Sequence, residues 1–213
     1  MSVGTAEDIA EEYGALADLL EAAGNEVWES PSLCEGWRTR EVVAHVTMPV
    51  RYDGPAFMAE LESAGGDFTR LSNEVAARDG ALPAAVLLGG LRSPVLHEWQ
   101  PPGGGVEGGL IHCVIHELDI VEAGALARRV PDDRIRSVLE LVVPDDGATA
   151  GAGANLFGVD LSDVELRADD LDWDSGVGAL VTGPAQALAQ AACGRLLPPG
   201  RLRGAAAARF TRS

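Results

Sequence analysis

The stretch Ile111-His112-Cys113-Val114-Ile115-His116-Glu117-Leu118-Asp119 decides how this chain folds and points to its chemistry. It is apolar enough to form a buried helix. Its two histidines are four residues apart, so on a helix both imidazoles lie on one face, with Cβ atoms about 5–6 Å apart. Two imidazoles placed in this way can bind one metal ion.

A metal site of this kind needs a third ligand from elsewhere in the chain. The chain has four histidines, so the search is limited to His45 and His97. His45 shares a predicted helical stripe with Val42 and Val46 and is expected to point into the core, whereas His97 lies beside a loop and is interpreted as incidental. Three protein ligands leave one coordination position open, which is typical of catalytic zinc.

The same pattern has a second interpretation, in which the histidines are hydrogen-bonded core residues. A histidine pair at this spacing is a weak signal on its own. If the metal site exists, Asp119, three residues after His116, is expected to hold the second nitrogen of that histidine from the outer shell. Cys113 could approach the metal as well, although a small buried hydrophobic residue is the alternative interpretation.

Composition narrows the function classes. The formal net charge is −17, and all sixteen basic residues are arginine. No basic patch is visible, which argues against nucleic acid and against anionic membrane surfaces. No apolar run approaches the ~20 residues of a membrane span, and the N-terminal residues lack the pattern of a basic and then an apolar region, so we expect no signal peptide. Three widely spaced cysteines fit a reducing compartment, so we expect a cytoplasmic protein.

The hydrophobic pattern predicts a mainly α protein. Four helical segments are expected, at about 5–27, 40–62, 72–99 and 106–127. Pro49 should kink or break the second of them, and Thr39 is expected to cap it. Together the segments predict a metal-binding four-helix bundle over 1–143, in which facing helices build the ligand site.

The C-terminal part has a different character. Residues 144–158 are rich in Gly, Ala and Asp and are interpreted as a linker or long loop. Strands are predicted at 164–168, 171–176 and 179–181, with a turn at Gly176 and Gly178, and a helix over 185–193 follows. Residues 144–213 are therefore expected to form a small α+β subdomain.

Several motifs also resemble a known family. Residues 33–46, LCEGWRTREVVAHV, resemble the Gly-Trp, helix, His signature of mycothiol-dependent maleylpyruvate isomerase-like proteins, which belong to the DinB/YfiT-like superfamily. Residues 112–119 resemble the second signature of these proteins. Residues 171–178, 181–185 and 193–195 resemble their small domain, so the similarity spans nearly the whole chain.

The resemblance implies a DinB/YfiT-like four-helix bundle that holds a divalent metal, zinc before nickel or iron, and uses mycothiol as co-substrate. His45, His112 and His116 match the metal-ligand positions. The isomerases have a glutamate where His112 stands, so this site has one negative charge fewer. Arg195 matches an arginine that acts at the active site, where it would pair with a substrate carboxylate.

The function expected from the resemblance is thiol activation for S-transfer to a small organic substrate or for its cis–trans isomerisation. Two alternatives stay open: a hydrolase that uses a metal-activated hydroxide, and a non-catalytic metal- or ligand-binding module. The second would have closed coordination, with Cys113 as a fourth ligand. The expected partners are a small-molecule thiol and a small organic substrate, and the protein is expected to be a monomer or homodimer.

Overall fold

A computed structural model describes residues 5–143, 155 and 157–212 of the protein. The described chain is mainly helical with one small three-stranded sheet, which confirms the predicted fold class. It divides into two compact units, Ser2–Arg128 and Arg129–Ser213. Among the described residues, no helix has the length and apolar character needed to span a lipid bilayer.

Helices make up the regular structure of the first unit. They are α1 (Ala6–Ala23), α2 (Thr39–Val46), α3 (Met48–Arg51), α4 (Gly54–Ser63), α5 (Phe68–Asp79), α6 (Ala84–Leu91), α7 (Pro94–His97) and α8 (Gly105–Ala123). The two longest, α1 and α8, pack against each other. Helix α2 packs against α8, α5 and α6, so its side chains lie at the centre of the unit.

Helix α1 begins with a reciprocal cap. The backbone N–H of Asp8 donates to the Thr5 hydroxyl at 3.1 Å, and the backbone N–H of Thr5 donates to the Asp8 carboxylate at 2.6 Å. These bonds satisfy N–H groups that lack a partner within the helix. The helix ends before Gly24, whose φ of 80° is left-handed. It is therefore shorter than predicted, and its buried stripe includes Ile9, Tyr13, Leu16 and Leu20.

The second predicted helix is broken near Pro49, as expected. Helix α2 stops at Val46 and α3 starts at Met48, so that proline lies in a first turn where its missing N–H costs little. Thr39 is the first residue of α2 rather than its cap. The residue before it, Arg38, has its N–H bonded to the Glu41 carboxylate at 2.9 Å.

In place of the third predicted helix, the structure has three shorter helices, α5 to α7. Pro83 precedes α6, and Pro94 lies in the first turn of α7. Proline tends to end a preceding helix and to begin a following one, so each break is local in origin. Helix α8 keeps the predicted position but ends at Ala123, before Gly124.

A buried charge cluster joins α1 and α8. Glu12 and Glu117 are both fully buried, and Arg128 forms ion pairs with Glu12 at 2.5 Å and with Glu117 at 2.8 Å. Two carboxylates share one guanidinium. Burial, and then the nearby charge of Glu12, raise the pKa of the Glu117 carboxyl well above its usual value.

The second unit holds the sheet. It consists of α9 (Asp132–Val142), β1 (Val164–Ala168), β2 (Asp174–Gly176), β3 (Ala179–Gly183) and α10 (Ala185–Ala192). Strand β1 is central, antiparallel to β2 and parallel to β3. At Gly178, φ is 150° and a Cβ would lie 2.1 Å from the Asp163 carbonyl carbon, so glycine is required in the turn before β3.

The division between the units falls before α9, whereas the sequence pattern placed it at residue 143. The physical reason is that α9 packs against α10, and Ile135, Val138 and Leu139 are buried. Asn155 strengthens this pairing, because its side-chain amide donates to the carbonyls of Val142 and Ala192. The predicted linker lies largely outside the described residues.

We predict that stability declines less steeply with rising pH when Glu117 is replaced by Gln. Since the folded pKa of Glu117 is raised, the native state keeps a proton that the unfolded state releases above its usual pKa, and stability falls as pH rises through that interval. Urea unfolding measures this slope between about pH 4, which is near the usual pKa of a glutamate carboxyl, and about pH 8. The exposed Glu107 of the same helix provides a control, Glu107→Gln. Equal slopes for wild type and Glu117→Gln would contradict the prediction.

Candidate metal centre

Three imidazoles meet inside the first unit. Helix α2 carries His45, and α8 carries His112 and His116 on one face. One nitrogen of each ring can be chosen so that the three lie within 4.8 Å of one another. Nε2 of His112 and Nε2 of His45 are 3.3 Å apart. The three histidines that the sequence singled out are therefore brought together.

The histidine cluster is shielded yet not closed. His45 is only 7% exposed, whereas His112 and His116 are half-buried. Two half-buried tryptophans stand beside the cluster: the ring of Trp37 is 5.1 Å from that of His45, and the ring of Trp99 is 5.2 Å from that of His112. These aromatic side chains limit the access of water to the imidazoles.

Asp119 lies behind His116. Its Oδ2 atom is 3.1 Å from Nδ1 of His116, and the carboxylate is fully buried. A carboxylate at this distance holds the proton of the neutral ring on Nδ1 and leaves Nε2 for a metal. This is the arrangement that the spacing predicts for Asp119.

The same carboxylate oxygen also accepts a hydrogen bond from Cys34, whose Sγ is 3.1 Å away. That sulfur is 3.8 Å from Nδ1 of His116. Cys34 reaches this place because its loop is tied to α8, where the N–H of Leu33 donates to the carbonyl of Asp119 at 3.0 Å. A left-handed turn at Gly36, with φ of 78°, returns the loop to α2.

Tyr13 of α1 lies behind His112. Its hydroxyl oxygen is 3.3 Å from Nδ1 of His112, and the side chain is 1% exposed. Burial, followed by the neighbouring Cys113, raises the pKa of the Tyr13 phenol well above its usual value, so the phenol is neutral. Each of the two histidines of α8 thus has an oxygen at its Nδ1.

Three other residues singled out from the sequence lie elsewhere. His97 Nε2 is 2.8 Å from the carbonyl oxygen of Leu91, which agrees with an incidental role. Cys113 is fully buried and its Sγ is directed to the carbonyl of Ile9, at 3.9 Å. Arg195 belongs to the second unit, where its N–H donates to the carbonyl of Gln190; its role stays a prediction.

The donor set fits a transition metal. Three imidazoles suit zinc, nickel, copper or iron, and Nδ1 oxygen partners on two of the rings are the usual outer shell of metal histidines. Cys34, His116 and Asp119 form a second group whose ligand atoms are close enough for one ion. Since Asp119 is hydrogen-bonded to both other members, that group is explained as an outer shell of the first.

Sequence reasoning missed the contacts that Tyr13 and Cys34 make with the histidine cluster and with Asp119. Tyr13 has the spacing of a core residue on α1, and nothing in that spacing tells a buried hydroxyl from a buried methyl group. Cys34 lies within residues 33–46, which resemble the family signature. Its place in that segment was the feature of the sequence that could have indicated a position near the site.

The family comparison agrees with this geometry. Residues 9–95 match the sequence profile of the mycothiol maleylpyruvate isomerase N-terminal domain. The predicted family resemblance is confirmed. The matched region includes His45 and ends before the histidine pair of α8.

Two solved structures resemble the whole chain. One is the crystal structure of the mycothiol-dependent maleylpyruvate isomerase, with 16% sequence identity, a TM-score of 0.56, and coverage of 95% of this chain and 90% of that chain. The other is a histidine-to-alanine mutant described by the same name, with 17% identity and the same TM-score and coverage. At these identities the likeness concerns the fold. No curated protein matches the chain in sequence.

We predict that Asp119→Asn weakens metal binding about 10- to 100-fold, the usual cost of losing an outer-shell partner. The amide is a weaker acceptor for Nδ1–H of His116 and can present its own N–H there. Competition with a chromophoric chelator measures the affinity. Glu122→Gln, on the same helix outside the cluster, is the control. Unchanged affinity in Asp119→Asn would show that the carboxylate does not support His116.

We also predict that Cys113→Ala retains full metal stoichiometry. The Cys113 thiol belongs to neither group of candidate ligands among the described residues. Its removal should therefore cost only core packing and its hydrogen bond with Tyr13, about 1 kcal/mol of unfolding free energy. Elemental analysis and thermal unfolding measure the two effects. Loss of the metal from folded Cys113→Ala would support a closed site with a thiolate ligand.

Proposed function

We propose that the protein is a metal-dependent enzyme that uses mycothiol to perform S-transfer to a small substrate or its cis–trans isomerisation. The observation that carries the proposal is the meeting of His45, His112 and His116 beside two half-buried tryptophans. The N-terminal domain match and the fold shared with mycothiol-dependent maleylpyruvate isomerase supply the thiol and the reaction class.

The proposed metal ligands are the three imidazoles, and zinc is preferred to nickel or iron. When bound there, the metal would supply a positive charge that favours the thiolate of the co-substrate over its thiol at neutral pH. Because the three proposed ligands are neutral imidazoles, none of them would offset the positive charge of the ion. The Asp119 carboxylate, which lies behind the ring of His116 at 3.1 Å from Nδ1, places a negative charge outside the shell that they form.

The residues of the chain have the remaining tasks. Asp119 keeps a proton on Nδ1 of His116, so that ring presents Nε2 to the ion. Trp37, held by a 3.0 Å hydrogen bond from its Nε1–H to Asn73, and Trp99 exclude water from one side of the rings. We propose that Arg195 pairs with a substrate carboxylate, as the family resemblance implies.

The two reactions share one first step. The thiolate sulfur adds to an activated carbon–carbon double bond, a C–S bond forms, and the π electrons move to the conjugated carbonyl oxygen. Rotation about the resulting single bond follows. The electrons then return from the enolate oxygen, the double bond of the isomer forms, and the C–S bond breaks to release the thiolate. In S-transfer the new C–S bond is kept and a leaving group departs with its electron pair, or a proton completes the addition.

The proposal includes a cytoplasmic location, because the co-substrate must be reduced. The expected partners are the thiol and a small organic substrate, and the oligomeric state is expected to be monomeric or homodimeric.

We expect the purified protein, without an affinity tag, to hold about one equivalent of zinc, as a single catalytic site does. The double variant His112→Ala/His116→Ala should hold none, because one imidazole does not retain the ion. The fourth histidine provides a matched control, since His97→Ala should keep the metal. Elemental analysis with circular dichroism decides the outcome. Absence of metal from wild type after reloading would remove the proposed mechanism.

Thiol dependence then separates the function classes. The metal-loaded protein is assayed with maleylpyruvate and with electrophilic S-acceptors, with and without mycothiol. Turnover that requires the thiol without consuming it indicates isomerisation, and stoichiometric loss of the thiol indicates S-transfer. Turnover of an ester or amide without thiol would favour a hydrolase instead. Metal binding without turnover in any assay would favour a binding module.

A further inference from the structure

Tyr13 has a position that core packing alone does not require. Its hydroxyl lies 3.3 Å from Nδ1 of His112, on a side chain that is 1% exposed. The opposite nitrogen of the same ring, Nε2, is 3.3 Å from Nε2 of His45. His112 therefore has its two nitrogens directed to different places: Nε2 to the histidine cluster and Nδ1 to α1.

We infer that Tyr13 is a positioning residue for His112, accepting its Nδ1–H so that Nε2 is presented as a metal ligand. A neutral imidazole carries its proton on one nitrogen, and a ring that ligates through Nε2 carries it on Nδ1. A buried Nδ1–H needs an acceptor. The phenolic oxygen provides one, since a tyrosine hydroxyl both accepts and donates. The inference rests on the proposed metal-binding function.

The two histidines of α8 then have unequal support. Behind His116 stands a carboxylate, Asp119, which makes the ring a stronger ligand by drawing on its Nδ1 proton. Behind His112 stands a neutral phenol, which orients the ring without adding negative charge. His112 is therefore supported less strongly than His116. Its strength as a metal ligand depends more on the orientation of its ring than on an increased basicity of its Nε2.

The competing explanation is that Tyr13 only fills the core between α1 and its neighbours. It lies on the buried stripe of α1, and its ring is stacked with that of His97 at 6.4 Å. Removal of the hydroxyl with retention of the ring separates the two explanations. The core role belongs to the ring, whereas the positioning role belongs to the oxygen.

The experiment compares two phenylalanine variants, since the chain has two tyrosines. Tyr13→Phe should weaken zinc or cobalt binding about 10- to 100-fold, the usual effect of losing an outer-shell partner. Tyr52→Phe is the matched control: the Tyr52 hydroxyl donates to Asp79 at 2.9 Å, in a cluster that includes none of the metal candidates. Competition with a chelator measures affinity, and thermal unfolding of the metal-free proteins measures stability.

A second background tests whether the effect passes through His112. In His112→Ala the ring and its Nδ1 proton are absent and His45 and His116 remain, so adding Tyr13→Phe should lower the weaker affinity for cobalt no further. A merely structural role would lower affinity equally in both backgrounds. Wild type that binds metal, with Tyr13→Phe binding as tightly, would overturn the inference and leave the proposed function intact. Wild type that binds no metal would overturn both.

A spectroscopic measurement on unmutated protein covers the case in which Tyr13→Phe does not fold. Nitrogen-15 correlation spectra of the zinc-loaded, histidine-labelled protein report which ring nitrogen is protonated. We expect Nδ1 of His112 to carry a slowly exchanging proton, assigned by its absence from His112→Glu. Coordination of His112 through Nδ1, or rapid exchange of that proton with water, would overturn the inference.

Discussion

The contact between Nε2 of His45 and Nε2 of His112 is the constraint on which the site depends. At 3.3 Å, two neutral rings can share one proton in an N–H···N hydrogen bond, but two lone pairs facing each other repel. The helices that carry the two rings pack against each other, and their valines Val42, Val46 and Val114 are each at most 1% exposed. A cation bound by both nitrogens satisfies the arrangement better than a single proton, since each ring then donates its lone pair.

The constraint also explains how α8 distributes its polar side chains. The helix buries most of its length, so each buried polar group on it must find a partner within the protein. His112 and His116 face α2, and Asp119 accepts from the ring of His116. Glu117 meets the guanidinium of Arg128, which it shares with Glu12 of α1. Asp119, which contacts a candidate metal ligand, is thus a different buried acid from Glu12 and Glu117, which join α1 and α8 through Arg128.

The sequence was sufficient for the features set by short-range spacing. The i, i+4 histidine pair, the stripe that brings His45 to the same centre, and the break at Pro49 are consequences of helix geometry and of the missing proline N–H. The three strands and the turn at Gly178 likewise follow from alternation and from glycine. Each of these predictions requires only residues that are near one another in the chain.

Long-range contacts could not be predicted in this way. Helix α9 belongs to the second unit because it packs on α10, some forty residues later, and no local pattern on α9 identifies its partner. Cys34 meets Asp119 because a backbone hydrogen bond from Leu33 docks its loop on α8. Tyr13 has the pattern of any buried helix residue. Contacts between residues so far apart in the chain depend on tertiary structure, so the sequence indicated only the types of ligand residue and the family signature.

The charge of the site limits what it can do once a metal is present. Three neutral ligands leave a divalent ion with its full charge in the first shell, which favours anionic ligands such as a thiolate or a carboxylate. The same stabilisation has a cost, because the nucleophilicity of a thiolate falls as the pKa of its thiol falls. A site built in this way therefore suits substrates that are already electrophilic, such as double bonds conjugated with a carbonyl. Under the proposed function, a glutamate in place of His112 would shift this balance toward a more nucleophilic sulfur and a smaller thiolate fraction, so the ligand at this position would affect which electrophiles react.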